Sequence, residues 1–347
     1  MLAVRDKRHR MNYFSPELIN RTYIFYVNPY TKIAFQNATD VADTELIQST
    51  GAIKFPVSLI FLIFQTVYLL AVRRRIGFGK EFSFMLLFWI GVVDLIQLIC
   101  HTMSGIWMLA LMHAEEWHYI FGAFHETCYL LTGYLTTALP IHRFILIVFH
   151  AQAQKILRPL YLKIIMLLYL IFGLSWLGYF LSGDMEIIFV PETIYWYWTY
   201  KTDNWDWVGI VFLVEKWSLM SPIIVGAVLY SGIILKFMTR ANRSIASEIR
   251  LTVQVFTILA VDTLAYVIWY YFLLWADDSL LVNCLSDLVW VVYNGANSVI
   301  YFIFNPEVRN RMKDLLTCGA AGKPQGPLFT NSSSVTTSTL SKKSTSK

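Results

Sequence analysis

Charge is scarce in this chain. Only 15% of its 347 residues are Asp, Glu, Lys or Arg, against 56% that are hydrophobic. So little charge excludes a soluble domain of this length. Cysteine is scarce as well: the four residues Cys100, Cys128, Cys284 and Cys318 are scattered, and no spacing among them resembles a metal site or a disulfide framework. No catalytic triad, metal motif or phosphate-binding loop occurs, so the chain is not expected to be an enzyme and no cofactor is implied by a motif. His101, His113, His118 and His125 lack the spacing of a zinc site, which ranks an intramembrane enzyme last. No internal repeat relates the two halves, and this counts against an inverted-repeat transporter. No short apolar segment precedes the first long one, so the first helix is expected to start insertion itself.

What the chain does have is long apolar runs. A bilayer core demands about 20 apolar residues of a crossing helix. Seven such runs occur, at about 53–72, 82–104, 119–142, 161–181, 208–235, 250–275 and 280–304. The fold class is therefore an all-α membrane protein, a seven-transmembrane helix bundle. Basic residues are retained on the cytoplasmic side. The loops after the first, third and fifth runs carry Arg73, Arg74, Arg75, Lys80, Lys155, Arg158, Lys163, Lys236, Arg240 and Arg243. The loops after the second, fourth and sixth carry a single basic residue, Lys201, and are acidic. The N-terminus is therefore expected outside and the C-terminus inside, in a multi-pass plasma-membrane protein. Arg5, Lys7, Arg8 and Arg10 lie roughly 40 residues before the first run, beyond the ~15–20 residues over which the bias acts. The net charge of +5 then reflects topology, and no nucleic-acid partner is implied.

Three regions follow: an extracellular arm over 1–50, a membrane domain over 51–318, and a tail over 319–347. Asn20 and Asn37 in the arm head N-glycosylation triplets on the expected outer side. The tail is Ser/Thr/Lys-rich with too few apolar residues for a core, and is expected to be disordered. It serves either as a solvated tail or as a phosphorylation cluster that a kinase writes and an arrestin reads. Cys318 is either a palmitoylation site pinning the chain to lipid or a free thiol. The second outer loop, about 183–207, is rich in Tyr and Trp. It reads as a belt at headgroup depth or as a lid over a ligand cavity.

Polar groups inside the runs are costly and serve as functional hypotheses. Asp94, Thr132, Asn294, Asn297 and Ser298 lie at comparable depth and suit an internal knot that is hydrated or holds a cation such as Na⁺. Helix–helix hydrogen bonding alone is the plainer reading. Nearer the outside, His125 and Tyr129 are four apart and share a helical face, and with Asp287 they are candidate cavity-lining, ligand-binding residues. Glu215 reads as paired with Lys216 or snorkelling, and Asp262 is deep with no partner evident in the sequence. After the last run, Asn305 and Pro306 suit N-cap and first-turn positions of a new helix. Val308, Met312, Leu315 and Leu316 would form its membrane-facing side.

Several of these residues form familiar patterns. Asn297-Ser298-Val299-Ile300-Tyr301 resembles the Asn-Pro-x-x-Tyr signature of rhodopsin-like G-protein-coupled receptors, followed by their short amphipathic eighth helix. Asp94 matches the second-helix aspartate of that family. His142-Arg143-Phe144 resembles the end of the third helix, and Pro222 with Tyr230 the fifth-helix proline and tyrosine. Asp94-Leu95-Ile96-Gln97-Leu98, the Ser104-Gly105 break and the Asn305–Arg309 junction are similar to nematode serpentine chemoreceptors, the Srt and Srx kinds. The resemblance covers about residues 50–318. It implies a receptor, with sensory cilia as one setting, that binds a small molecule or peptide among its outer helix halves and activates a heterotrimeric G protein. Arg143, Tyr230 and Tyr301 would carry the inner rearrangement, and Asp94 and Asn297 the middle relay. Departures are Ser298 for proline, His142 for an acid, and no proline between Asp262 and Trp269. The alternative from another class is a seven-helix transporter or ligand-gated channel, with Asp94, Glu126, Asp262 and Asp287 as its ion path.

Overall fold

The computed structural model describes residues 24–25, 44–74, 82–112, 118–182, 185–191, 194–200, 205–239, 245–268 and 280–317. Each expected apolar run forms a helix because the bilayer leaves no other way to satisfy an uninterrupted apolar backbone. In chain order these are α1 (Thr44–Arg73), α2 (Phe82–Leu109), α3 (His118–Val148), α5 (Pro159–Leu181), α6 (Trp205–Thr239), α7 (Ile245–Val267) and α8 (Leu280–Phe304). A short α4 (His150–Ile156) follows α3, and α9 (Pro306–Leu316) follows α8. Six of these helices are long and apolar enough to cross a membrane. The apolar part of α7 is shorter, Phe256–Val267, and the rest of the expected sixth run, to 275, falls outside the described residues.

The expected ends need two corrections. Helix α1 starts at Thr44, several residues before its apolar run, and α3 continues through Arg143 to Val148. The α1 extension carries polar residues such as Glu45, Gln48 and Ser49 that hydropathy does not report, and the α3 extension is apolar beyond Arg143.

Small residues set the closest approaches. A Cβ on Gly133 of α3 would collide with the Ser218 carbonyl of α6. Without an effective hydrophobic drive between helices in lipid, such close backbone packing is what joins them. The inner core gathers Tyr68, Leu86, Ile90, Leu139, Ile233 and Tyr301 between α1, α2, α3, α6 and α8.

Outside the bundle the chain forms a hairpin, β2 (Met185–Val190) against β3 (Tyr195–Tyr200), antiparallel from Met185↔Tyr200 to Val190↔Tyr195. The two-residue strand β1 (Ile24–Phe25) adds to the far side of β3. At the turn, Ile194 has φ 58°, uncommon for a β-branched residue. Its side chain is fully buried with Phe189 and Trp196, and that packing holds the strained backbone in place. Gly122 of α3 lies so close under the hairpin that a Cβ there would collide with the Ile187 carbonyl. The hairpin is thus clamped onto the end of α3.

Helix α9 starts as expected. Asn305 is its N-cap, with Oδ1 accepting from Val308 N at 3.2 Å, and Pro306 occupies the first turn. Val308 and Met312 are buried and Leu315 packs against the core, but Leu316 is exposed and does not belong to that face. Arg311 Nη1 donates to the Arg74 carbonyl at 2.9 Å, tying α9 to the end of α1.

Candidate functional site

Four helices converge beneath the hairpin. Helix α1 supplies Lys54, α2 supplies His101, α3 supplies His125 and Tyr129, α8 supplies Asp287 and Trp290, and the hairpin supplies Phe189 and Trp196. Lys54 and His101 are fully buried and Asp287 is 2% exposed. A buried ammonium needs a buried counter-charge, and Lys54 Nζ forms an ion pair with Asp287 Oδ2. The same Nζ stands 4.5 Å from the centroid of the Phe189 ring, a favourable placement for a cation over a π face. Asp287 Oδ1 faces His101 Nδ1 at 3.7 Å, and His101 Nε2 lies 3.2 Å from His125 Nε2. His125 stacks on Trp196, with centroids 4.7 Å apart and planes 13° apart, and meets the edge of Trp290 at 4.3 Å. Tyr129 packs on the other side of Trp290 at 5.2 Å.

The three candidate cavity residues are therefore brought into one cluster, joined through His101 and Trp290. Sequence reasoning missed both linking residues and Lys54. Of the aromatic loop, Trp196 and Phe189 lie buried against the cluster. Cys100, Cys128 and Cys284 are free thiols, and His118 stacks on Trp107 at 3.9 Å. Among the described residues no group of His, Cys, Asp and Glu is arranged to hold a metal ion.

Trp290 leads inward. Its Nε1 donates to Gln97 Oε1 at 3.4 Å, and Gln97 Nε2 donates to Thr132 Oγ1 at 3.2 Å. Thr132 faces Asp94, whose Oδ2 accepts from Asn297 Nδ2 at 2.9 Å. Asp94, Thr132 and Asn297 are thus together as expected. Ser298 turns back onto the Gly295 carbonyl at 2.9 Å, and α8 runs through this point as a continuous helix. Asn294 is fully buried nearby but neither of its side-chain atoms has a hydrogen-bond partner among the described residues, so it is not a bonded member of the knot. Asp262, which had no evident partner, hydrogen-bonds Tyr293 and so joins α7 to α8.

At the opposite end of the bundle from the hairpin, Arg143 lies within electrostatic reach of Tyr230 and Tyr301. Tyr301 stacks on Tyr68 at 5.4 Å, and Gln254 of α7 faces its hydroxyl. His142 Nδ1 is 3.0 Å from Ser83 Oγ, so the residue in the usual acidic position ties α3 to α2. Pro222 and Tyr230 line a small cavity with Thr136, Leu139 and Asp262. Asn20, Asn37 and Cys318 lie outside the described residues.

The described residues form a helical membrane bundle with a polar thread running from the cluster beneath the hairpin to the Asp94–Asn297 bond, the architecture of a multi-pass membrane protein. The chain belongs to the family described as serpentine type 7TM GPCR chemoreceptor Srt, whose sequence model matches residues 10–324. Comparison with curated proteins gave no match. Of the Srt and Srx kinds that Asp94–Leu98, the Ser104-Gly105 break and the Asn305–Arg309 junction resemble, the match is to Srt.

Proposed function

We propose that this receptor binds a chemosensory ligand in the outer half of its bundle and activates a heterotrimeric G protein at its inner end. His125, Tyr129 and Asp287 form the binding cluster, with Lys54, His101, Trp196 and Trp290. The N-terminus is outside and the C-terminus inside, placing Arg143, Tyr230 and Tyr301 towards the cytoplasm. The observation that carries the reading is the bonded thread Trp290–Gln97–Thr132. It starts at a ring touching the outer cluster and ends against the Asp94–Asn297 bond. A ligand that moves Trp290 changes the partners of Gln97, and only a ligand with different affinity for the two arrangements shifts their populations. A sodium ion beside Asp94 belongs to this reading, since Oδ1 of that carboxylate has no hydrogen-bond partner among the described residues. The Ser/Thr-rich tail then serves a kinase and arrestin, and Cys318 a lipid anchor.

The test is nucleotide exchange on a G protein in reconstituted membranes, against a panel of small odorants and peptides. Arg143→Ala is expected to abolish agonist-stimulated exchange while surface expression persists. Undiminished exchange would overturn the coupling assignment.

A further inference from the structure

Two prolines sit inside membrane helices, Pro140 in α3 and Pro222 in α6, and both line the same small cavity. Thr136 of α3, Tyr230 of α6, and Ile258 and Asp262 of α7 share its wall. Proline has no N–H, so Pro140 cannot give the Thr136 carbonyl the helical hydrogen bond that it would otherwise accept. The Tyr230 hydroxyl is buried and has no hydrogen-bond partner among the described residues. Asp262 is 4% exposed and bonds Tyr293, which leaves most of the hydrogen-bonding capacity of its carboxyl group over. Three helices thus bring a hydroxyl, a carbonyl and a carboxyl group to one space.

Size and polarity decide what fills that space. About 10 Å³ is open to the centre of a water molecule, which is room for one. A void walled by leucine and isoleucine alone stays dry, but here an unmet phenol would cost as much as a lost hydrogen bond. A buried water ordinarily makes about three hydrogen bonds, and this wall can supply them. A hard cation would ask for about six oxygens or more. Among the described residues no group is arranged to hold a metal ion.

We propose that this cavity is a binding site for a single water, which accepts from the Tyr230 hydroxyl and donates to the Thr136 carbonyl and to Asp262. The water joins α3, α6 and α7. Asp262 is then held twice, directly by Tyr293 of α8 and through the water by α3 and α6. A bridging water re-forms its bonds as a helix shifts, so this second tie yields where a direct bond would break.

The test exposes the full-length receptor in lipid nanodiscs to short X-ray pulses. These split bound water into hydroxyl radicals, which oxidise the side chains beside it, and mass spectrometry reads the oxidation. Tyr68 is the control, since it is similarly buried and its hydroxyl already donates to the Leu87 carbonyl at 3.4 Å. Leu316, at the exposed end of α9, reports the radical dose. Tyr230 is expected to be oxidised several-fold faster than Tyr68. Ile258→Phe, which enlarges a side chain of the wall, should bring Tyr230 down to the rate of Tyr68. Asp262→Leu, which removes a partner of the water, should do the same and carries the comparison if Ile258→Phe fails to fold.

Equal oxidation of Tyr230 and Tyr68 in the wild-type protein would show that the cavity is dry and would overturn the proposal. Fast oxidation of Tyr230 that persists in the variants would overturn it as well, because the radicals would then come from outside this cavity.

Discussion

Asn297 Nδ2 donates to Asp94 Oδ2 at 2.9 Å and so joins α8 to α2 in the middle of the bundle, 203 residues apart in sequence. Both side chains are buried, and the bond is to a carboxylate, the stronger kind of hydrogen bond. Asn297→Leu should therefore destabilise the receptor by about 2 kcal/mol, since it leaves a buried carboxylate oxygen unmet. Thermal unfolding in detergent measures this. A double-mutant cycle with Asp94→Leu should recover most of the loss, because the orphaned oxygen is then absent.

The Lys54–Asp287 pair makes a sharper test of the outer cluster. Lys54→Met alone strands a buried carboxylate and should cost about 3–5 kcal/mol. The double variant Lys54→Met/Asp287→Leu removes both charges and should be close to neutral, or more stable than wild type. A double variant less stable than Lys54→Met would mean that the pair is not the packing unit described. The readout is again unfolding of the purified protein, with surface expression alongside.

Much of this architecture was legible in the chain, and the reason is physical. A bilayer forces a 20-residue apolar run on any helix that crosses it, so the spans declare themselves. The knot of Asp94 and Asn297 was legible for the same reason, since a polar residue in the middle of such a run has few explanations. Lys54 was not, because it falls two residues inside the start of its run, where a lysine ordinarily reaches for headgroups. Its burial depends on the extra turns of α1 from Thr44 and on the hairpin above, neither of which hydropathy reports. His101 looked scattered for a different reason. Its partners Asp287 and His125 lie 186 and 24 residues away, and only the packing of α2 between α3 and α8 assembles them. Trp196 could be told from an interfacial ring only once β3 was paired with β2 over the bundle.

Glycine positions separate folding from gating. A side chain at Gly133 would meet the Ser218 carbonyl and push α3 from α6, two central helices. Gly133→Val is expected to abolish surface expression. At Gly122 the obstacle is the Ile187 carbonyl of the hairpin, so Gly122→Ala should displace that hairpin while the bundle still assembles. Expression near wild type with a weakened ligand response is the expected result. Gly178 has open space around its missing Cβ, and Gly178→Ala serves as the neutral control.

The N-cap of α9 gives a local prediction. Asn305→Ala removes the acceptor for Val308 N and should cost about 1 kcal/mol of helix stability. The loss should be confined to the first turn, because Val308 and Met312 remain buried. Hydrogen exchange is expected to speed up over residues 306–309 while the amides of α8 keep their protection.

Asp262 and Tyr293 carry the last prediction. No proline lies between Asp262 and Trp269, and α7 reaches α8 through a hydrogen bond between Asp262 and Tyr293. We propose that activation shifts α7 relative to α8, in which case this bond must break or slide. Tyr293→Phe keeps the ring and its packing but removes the hydroxyl, which weakens the tie between the helices. If the bond holds the resting arrangement, basal nucleotide exchange should rise in Tyr293→Phe, by several-fold for a buried hydrogen bond worth about 1 kcal/mol. Asp262→Leu, which removes the other half of the same bond, should raise it to a similar degree, and the double variant should add little to either. Equal basal exchange in all four proteins would show that α7 is held elsewhere, and Gln254 beside Tyr301 would be the next residue to change.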